Sequence, residues 1–332
     1  MTSSGFQLCS KTDQLVGSSR TICALLVVVV VASTGCSVKK FAISRLGDSL
    51  ASQSTSSFAT DDDPELVGDA LPFALKLMEG LLDQVPQHRG LLFATSSGFT
   101  QYSYVWVQQP ADELEQQDVE RAKIMRLRAR KLYLRARDYG IRGLEVKHRG
   151  FGAELRRDPK AAVRVARKKD VPLLYWTAAS WGAAISVSKD DPELVADQPI
   201  VEALIDRGLQ LDPDFDDGAI HGFLISYESA RQGVKGDFAV RSRKHFERQV
   251  ELTQGSLASP FVALAEAVSV SKQERSEFES LLKRALAIDP NTKPEWRLNN
   301  VVMQRRARWL LSHEKDIFVN KVEEGRENVE TQ

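Results

Sequence analysis

The side chains that most often carry chemistry are sparse in this chain and poorly spaced for it. The five histidines are His88, His148, His221, His245 and His313. No two stand three or four residues apart, so no helix presents a two-histidine grip on a metal. The run Asp212-Pro213-Asp214-Phe215-Asp216-Asp217-Gly218 has the acid density of a calcium loop. Its glycine comes one place late, and Phe223 stands where a bidentate Glu is needed. Acids decorating a helix start are the better reading of it. Gly150-Phe151-Gly152 lacks the third glycine and the preceding strand of a dinucleotide turn. Neither a Gly-x-Ser-x-Gly elbow nor a Walker loop occurs. A hydrolase would need Ser, His and Asp gathered from distant positions. The favoured reading is a non-enzymatic protein with no catalytic residues, no metal and no cofactor.

Two other groupings suit recognition. Tyr102, Tyr104 and Trp106 follow Thr95-Ser96-Ser97-Gly98, while Tyr175, Trp176 and Trp181 are interleaved with Thr177-Ala178-Ala179-Ser180 and Gly182-Ala183-Ala184. Helices so rich in small residues pack closely or line a cavity. An apolar groove with a few polar atoms is what a small-molecule site needs, so these six aromatics are read either as the lining for a small apolar solute or as core. The second grouping is charge. The chain carries 45 Lys+Arg and 45 Asp+Glu, which excludes a globally basic nucleic-acid binder. Residues 121–169 nevertheless hold 18 Lys/Arg against four acids, a local charge of +14. One reading is a solvated helix face with ion pairs to acidic neighbours. The other is a basic face, with Arg128, Arg130, Arg135 and Arg137 at its centre, for an acidic partner or for anionic headgroups.

Cys36 has a chemistry of its own. Ile22 to Ala32 is an uninterrupted run of 11 apolar or small residues preceded by Lys11 and Arg20. A spanning helix needs about 20 such residues, so the run fits the apolar region of a secretory signal. Ala32-Ser33-Thr34-Gly35-Cys36 then resembles a bacterial lipoprotein signal, with Ser33 where Leu is usual. Lipidation at Cys36 would leave no free thiol, because Cys9 and Cys23, the other two of three cysteines, lie inside the signal. Ser37, not Asp, after the cysteine points to the outer membrane. Membrane attachment would follow from the acyl chains.

Export and recognition both need a scaffold, and the rest of the chain reads as helices. The plan is a signal over 1–35, a Ser/Thr-rich flexible tether over 36–63, a helical domain over 64–318 and a disordered tail over 319–332. Apolar residues recur at helical spacing: a first helix opens at Pro64 and carries a stripe from Leu71 to Leu82, and others are expected near 88–107, 112–147, 159–168, 172–188, 192–211, 214–232, 237–253, 259–270, 273–288 and 293–313. Four of these helices end alike. Arg142-Gly143-Leu144-Glu145-Val146, Arg207-Gly208-Leu209-Gln210-Leu211, Arg248-Gln249-Val250-Glu251-Leu252 and Arg284-Ala285-Leu286-Ala287-Ile288 share an Arg, a small or polar residue and two aliphatics. The last aliphatics lie 65, 41 and 36 residues apart, which reads as one double and two single steps of a unit of about 34 residues. One hairpin cannot bury its apolar face alone, and stacked hairpins can. The expected fold is all-α, an α-solenoid of tetratricopeptide-like helical hairpins.

Longer motifs carry a resemblance. They are Leu82-x-x-Val85-Pro86, Tyr102-Ser103-Tyr104, the stretch Arg128 to Tyr139, Leu173-Leu174-Tyr175-Trp176-x4-Trp181-Gly182, Phe278 to Pro290, and Gln304-Arg305-Arg306-Ala307-Arg308-Trp309. Over about residues 70–318 they resemble the T-component family of TRAP transporters (TatT). That resemblance implies a periplasmic lipoprotein of degenerate tetratricopeptide-like hairpins. It also implies a trimeric homo-oligomer with ligand-sized pores and a periplasmic TRAP solute-binding protein as docking partner. The expected function is a non-enzymatic transport accessory that binds this partner and passes a small apolar solute. A generic scaffold for envelope complexes and a hydrolase are the alternatives.

Overall fold

A computed structural model describes residues 44–49 and 57–318. The signal, Cys36, most of the tether and the tail lie outside the described residues. Residues up to Leu46 form a unit apart from the one that starts at Gly47, and the latter is described here.

The unit is all-α, with no strand among the described residues. Its principal helices are α1 (Pro64–Gln84), α2 (Arg89–Ser103), α3 (Val119–Glu145), α4 (Phe151–Arg157), α5 (Val171–Ser186), α6 (Gln198–Leu211), α7 (Phe215–Tyr227), α8 (Phe238–Leu252), α9 (Ser259–Leu264), α10 (Arg275–Leu286) and α11 (Arg297–Ser312). Local chemistry sets many of their ends. Asp63 caps α1 by accepting from the Leu66 N–H, with Pro64 in the first turn, where its missing N–H costs nothing. Asp118 caps α3 in the same way through the Arg121 N–H, so α3 starts at Val119 and not at 112. No helix among the described residues is long and apolar enough to cross a membrane.

Neighbouring helices pair as α2/α3, α5/α6, α7/α8 and α9/α10, and α3 also lies against α5. This order is compatible with stacked hairpins. The four look-alike ends close α3, α6, α8 and α10, the second helix of each pair. Their small residues sit where another side chain presses: Gly143 under Leu173, and Gly208 under Ile220. The interval of 65 residues is not two equal steps. It holds one pair, α5/α6, with a short helix Pro192–Val195 between its two members, and an insert of α4, a short helix over Pro159–Ala162 and two 3-10 turns. Asp170 at the end of this insert is fully buried. Its carboxylate accepts from Arg89 at 2.7 Å and from the Arg167 N–H at 2.9 Å, and lies 3.1 Å from His148 Nε2.

Three further departures from helical periodicity occur. The expected helix 88–107 passes through a π-helical turn at Tyr104–Gln108, and the expected helix 259–270 through another at Ala265–Ser269. In α7, Asp216, Asp217 and Gly218 all have positive φ (48°, 52° and 84°), so the regular helix begins only after them.

The core is in two main parts. One is built from α3, α5 and α6 around Tyr133 and Trp181; the other from α9, α10 and α11 around Phe261 and Phe278. The ends of the unit also meet. Arg305 reaches Glu65 at 3.2 Å, Arg297 donates to the Thr60 carbonyl at 2.9 Å, and Arg306 donates to Glu113 at 3.3 Å. Helix α11 thus returns to the start of the unit.

Candidate functional site

The small-residue helices α2, α3 and α5 approach closely. A methyl group at Gly140 would run into Thr177 Oγ1 and lie 3.1 Å from Ser96 Oγ. Most hydroxyls on these faces are satisfied within their own helix. Thr95 donates to the Leu91 carbonyl at 2.7 Å, Thr100 to Ser96 at 2.7 Å, Ser103 to Phe99 at 2.6 Å and Thr177 to Leu173 at 2.6 Å.

The six aromatics singled out by sequence fall into four settings. Tyr102 stacks on Trp106 at 5.9 Å, and Trp106 Nε1 donates to the Pro64 carbonyl at 2.9 Å. Tyr175 meets Trp176 edge-on at 5.0 Å and Phe215 at 5.7 Å. Trp181 is fully buried, donates to Asp197 at 3.1 Å and has Arg137 and Arg156 over its ring at 4.8 and 5.5 Å. Tyr104 packs against both main cores. Residues two apart on a helix face different ways, which is why Tyr102 and Tyr104 part company.

The four arginines singled out on α3 have partners within the chain. Arg128 donates to the Tyr102 hydroxyl at 3.1 Å, Arg130 to Asp191, and Arg137 to Asp138 at 2.8 Å. Arg135 lies 3.7 Å from Glu79 and 5.4 Å above the Phe99 ring. Arg135 also borders an open cleft of about 400 Å³ lined by Lys131, Leu134, Asp138, Tyr139 and Arg142. Phe99 and Tyr139 stack at 6.2 Å beside it, with Arg142 5.1 Å above Tyr139. The Tyr139 hydroxyl donates to Glu79 at 2.8 Å, and burial helps push its pKa up to about 12.

A polar junction joins the two cores. Tyr104 opens the first π turn and Glu266 lies in the second. Arg306 donates to Glu266 Oε1 through Nε and Nη2 at 3.0 and 2.7 Å, and its guanidinium lies 4.5 Å over the Trp309 ring. Arg126 donates to Asp112 at 2.9 Å and to Glu115 at 2.6 Å. Burial pushes Glu266 above the usual carboxylate range in spite of Arg306, and it pushes the Tyr104 phenol up to about 12, with Glu266 adding to the shift. Tyr104 is therefore a neutral hydrogen-bond donor at ordinary pH. Sequence inspection missed this junction. Irregular helical turns of this kind recur at functional positions, but one extra residue leaves the apolar spacing almost unchanged.

It also missed a histidine pair. His221 on α7 and His245 on α8 face each other with Nδ1···Nδ1 of 2.8 Å. They are 24 residues apart, so no spacing rule on one helix finds them. No group of three or more His, Cys, Asp or Glu arranged to hold a metal occurs among the described residues. What the junction and the cleft offer is hydrogen bonding, charge and aromatic surface.

The sequence model of one family, described as TRAP transporter T-component, matches residues 60–318. A protein of Treponema pallidum (strain Nichols), described as uncharacterized, is 30% identical over 317 residues, covering 90% of this chain and 98% of the relative.

Proposed function

The chain belongs to the TRAP transporter T-component family, an accessory component of TRAP transport, and we propose that it acts by docking a periplasmic solute-binding protein. Family membership across nearly the whole described unit carries this reading. The docking face is the side of α3 that carries Arg128, Lys131, Arg135 and Arg142, with the cleft between them; Arg130 and Arg137 lie on the other flank, against Asp191 and the Trp181 ring. Charge there is complementary to an acidic partner surface. The solute is small and apolar, received against Tyr104 where the two cores meet; the Tyr102–Trp106 pair, the Tyr175–Trp176 pair and Trp181 lie in separate settings. The protein is non-enzymatic. It sits on the periplasmic side of the outer membrane, held by lipid on Cys36, and works as a homo-oligomer, a trimer by likeness to its family.

The test is co-elution of the purified chain with its cognate TRAP solute-binding protein. A complex should form and weaken at least about tenfold when Lys131 and Arg135 are both changed to Glu, because two cations are then replaced by like charges. Failure of the unaltered chain to form a complex at high micromolar concentrations would reject the docking. Cys36→Ala should move the protein from the membrane to the soluble fraction.

A second reading is a scaffold that binds protein and no solute. Full burial of Trp181 and the satisfied Trp106 indole favour it. Binding of an apolar dye that is lost in Tyr104→Ala would decide for the solute.

A further inference from the structure

Helix α8 buries no large apolar side chain completely, and its main aromatic contact is Phe246 edge-on to Phe261 at 5.4 Å. It buries Ala239, Ser242 and Gln249. Two of these carry buried atoms without a partner, Ser242 Oγ and Gln249 Oε1. Phe238, Phe246 and Val250 are only partly buried. At the middle of its contact with α7 stands the His221–His245 pair, rings 5.0 Å apart. Each ring has one proton to share when neutral, and a single N–H···N bond satisfies both facing nitrogens.

We propose that α8 is an acid-released strap, held on α7 by the neutral His221–His245 pair and let go when that pair takes up protons. Nothing in the docking reading is required for this.

Of the charged groups around the pair, Arg248 and Arg231 oppose protonation, while Asp214, Glu228 and Asp206 favour it. From α7 and its ends come Asp214 and Glu228, from the following turn Arg231, from α6 Asp206, and from α8 Arg241 and Arg248. Helix α9, the other neighbour, is Ser-Pro-Phe-Val-Ala-Leu and carries no charge. Glu228 is 3.8 Å from His245 Nε2, but Arg231 and Arg241 already hold it. Asp214 is likewise engaged by Arg248 at 2.7 Å. A second proton would set N–H against N–H. Burial lowers the pKa of both rings, His245 to about 4, with Arg248 adding for His221 and His221 adding for His245.

The sign follows from linkage. A histidine held neutral in the attached state contributes attachment that is complete above its free pKa of about 6.5 and is lost as pH falls toward the lowered value. Helix α8 has further ties, among them Arg243 to Glu277 at 2.9 Å and also to Glu274, and Lys272 to Asp237 at 3.0 Å. Burial works against Glu277, but Ser269 and Arg243 hold its pKa low; the Ala239 N–H and then Lys272 do the same for Asp237. These two carboxylates stay ionised at pH 5; burial pushes up Asp216 at the start of α7, and the histidine double variant separates its titration from that of the pair.

Hydrogen exchange on the full chain, corrected for intrinsic rates, reads the effect directly. Between pH 7.5 and 5.0, protection over 238–252 should fall by about 10- to 30-fold, while protection over 119–145 stays constant. The double variant His221→Gln/His245→Gln should show no such pH dependence, whatever its basal protection. Unchanged protection of α8 in the unaltered chain would overturn the proposal. So would an equal loss over α3, which is general acid unfolding, or persistence of the pH dependence in the double variant. A zinc-dependent rise in protection at pH 7.5 that the double variant lacks would mark the pair as a metal grip instead.

Discussion

Helices α3 and α8 look like the same element twice. Each is rich in Arg and Lys, each is the second helix of its pair, and each ends in Arg, a small or polar residue, and an aliphatic. Their attachment differs. Helix α3 has 27 residues and buries Ala122, Ala129, Tyr133, Ala136, Gly140, Gly143 and Leu144 against α2 and α5. Fully burying a side chain the size of Leu144 contributes about 1.5–3 kcal/mol, and Tyr133 adds its ring. Helix α8 has nothing comparable, and each of its hydrogen bonds contributes only about 1 kcal/mol net.

The motif position shows how the difference arose. In α3 it is Gly143, and the neighbouring helix presses Leu173 into the space. In α8 it is Gln249, a large polar residue, and the small residues have moved across to Gly218 and Gly222 on α7. The surfaces still fit, but apolar burial has been exchanged for an amide. A conserved-looking pattern of charge and chain ending thus says that a helix docks, and says little about how firmly.

The comparison can be broken from the firm side first. Asp170→Ala removes the fully buried carboxylate that ties the end of the α3–α5 insert to Arg89 and His148. Removing one partner of a buried ion pair typically costs about 3–5 kcal/mol, so urea unfolding should show the largest loss here. Burial works against the Asp170 charge, yet the Arg167 N–H, His148 and Arg89 keep its pKa below the usual range. Its contribution should therefore be present at neutral pH and fade as pH falls through that lowered value. Next, Gly140→Ala should destabilise. Overpacking of about 1–3 kcal/mol outweighs about 1 kcal/mol of helix propensity, and Thr177→Ala in the same chain should recover part of the loss. The smallest effect sharpens the other side. Ser242→Ala deletes a buried hydroxyl without a partner, so α8 should hold slightly better, by up to about 1 kcal/mol. A clear loss of stability in that variant would show that α8 is packed like α3 after all.

Most of the helical plan was legible because burial on one face imposes a spacing of 3.6 residues, and the shared endings marked the second helix of every pair. The insert between α3 and α5 was not. Its short helices are too brief to show a period, and what fixes them is Asp170, whose partner Arg89 is 81 residues away. The π turns hid for the opposite reason, since they sit inside strongly periodic helices. At the candidate site, Gly98, Gly182 and the Ser/Thr runs announced close helix approach, while Gly140, the tightest contact, went unread. The partners of each aromatic depend on rotation about the helix axis, which a composition reading does not carry. Arg306 joins Glu266 and Glu113 from 40 and 193 residues away, and no local pattern encodes such a meeting.

The return of α11 onto Glu65, Thr60 and Glu113 has a consequence for how the molecule comes apart. An open array of repeats can unzip from either end, each unit adding its own increment of stability. Here α11 reaches Thr60 and Glu65 at the start of the unit and Glu113 just before α3, so its loss would release both of those places at once. Such a body should melt as a whole, with Arg297, Arg305 and Arg306 as its clasp.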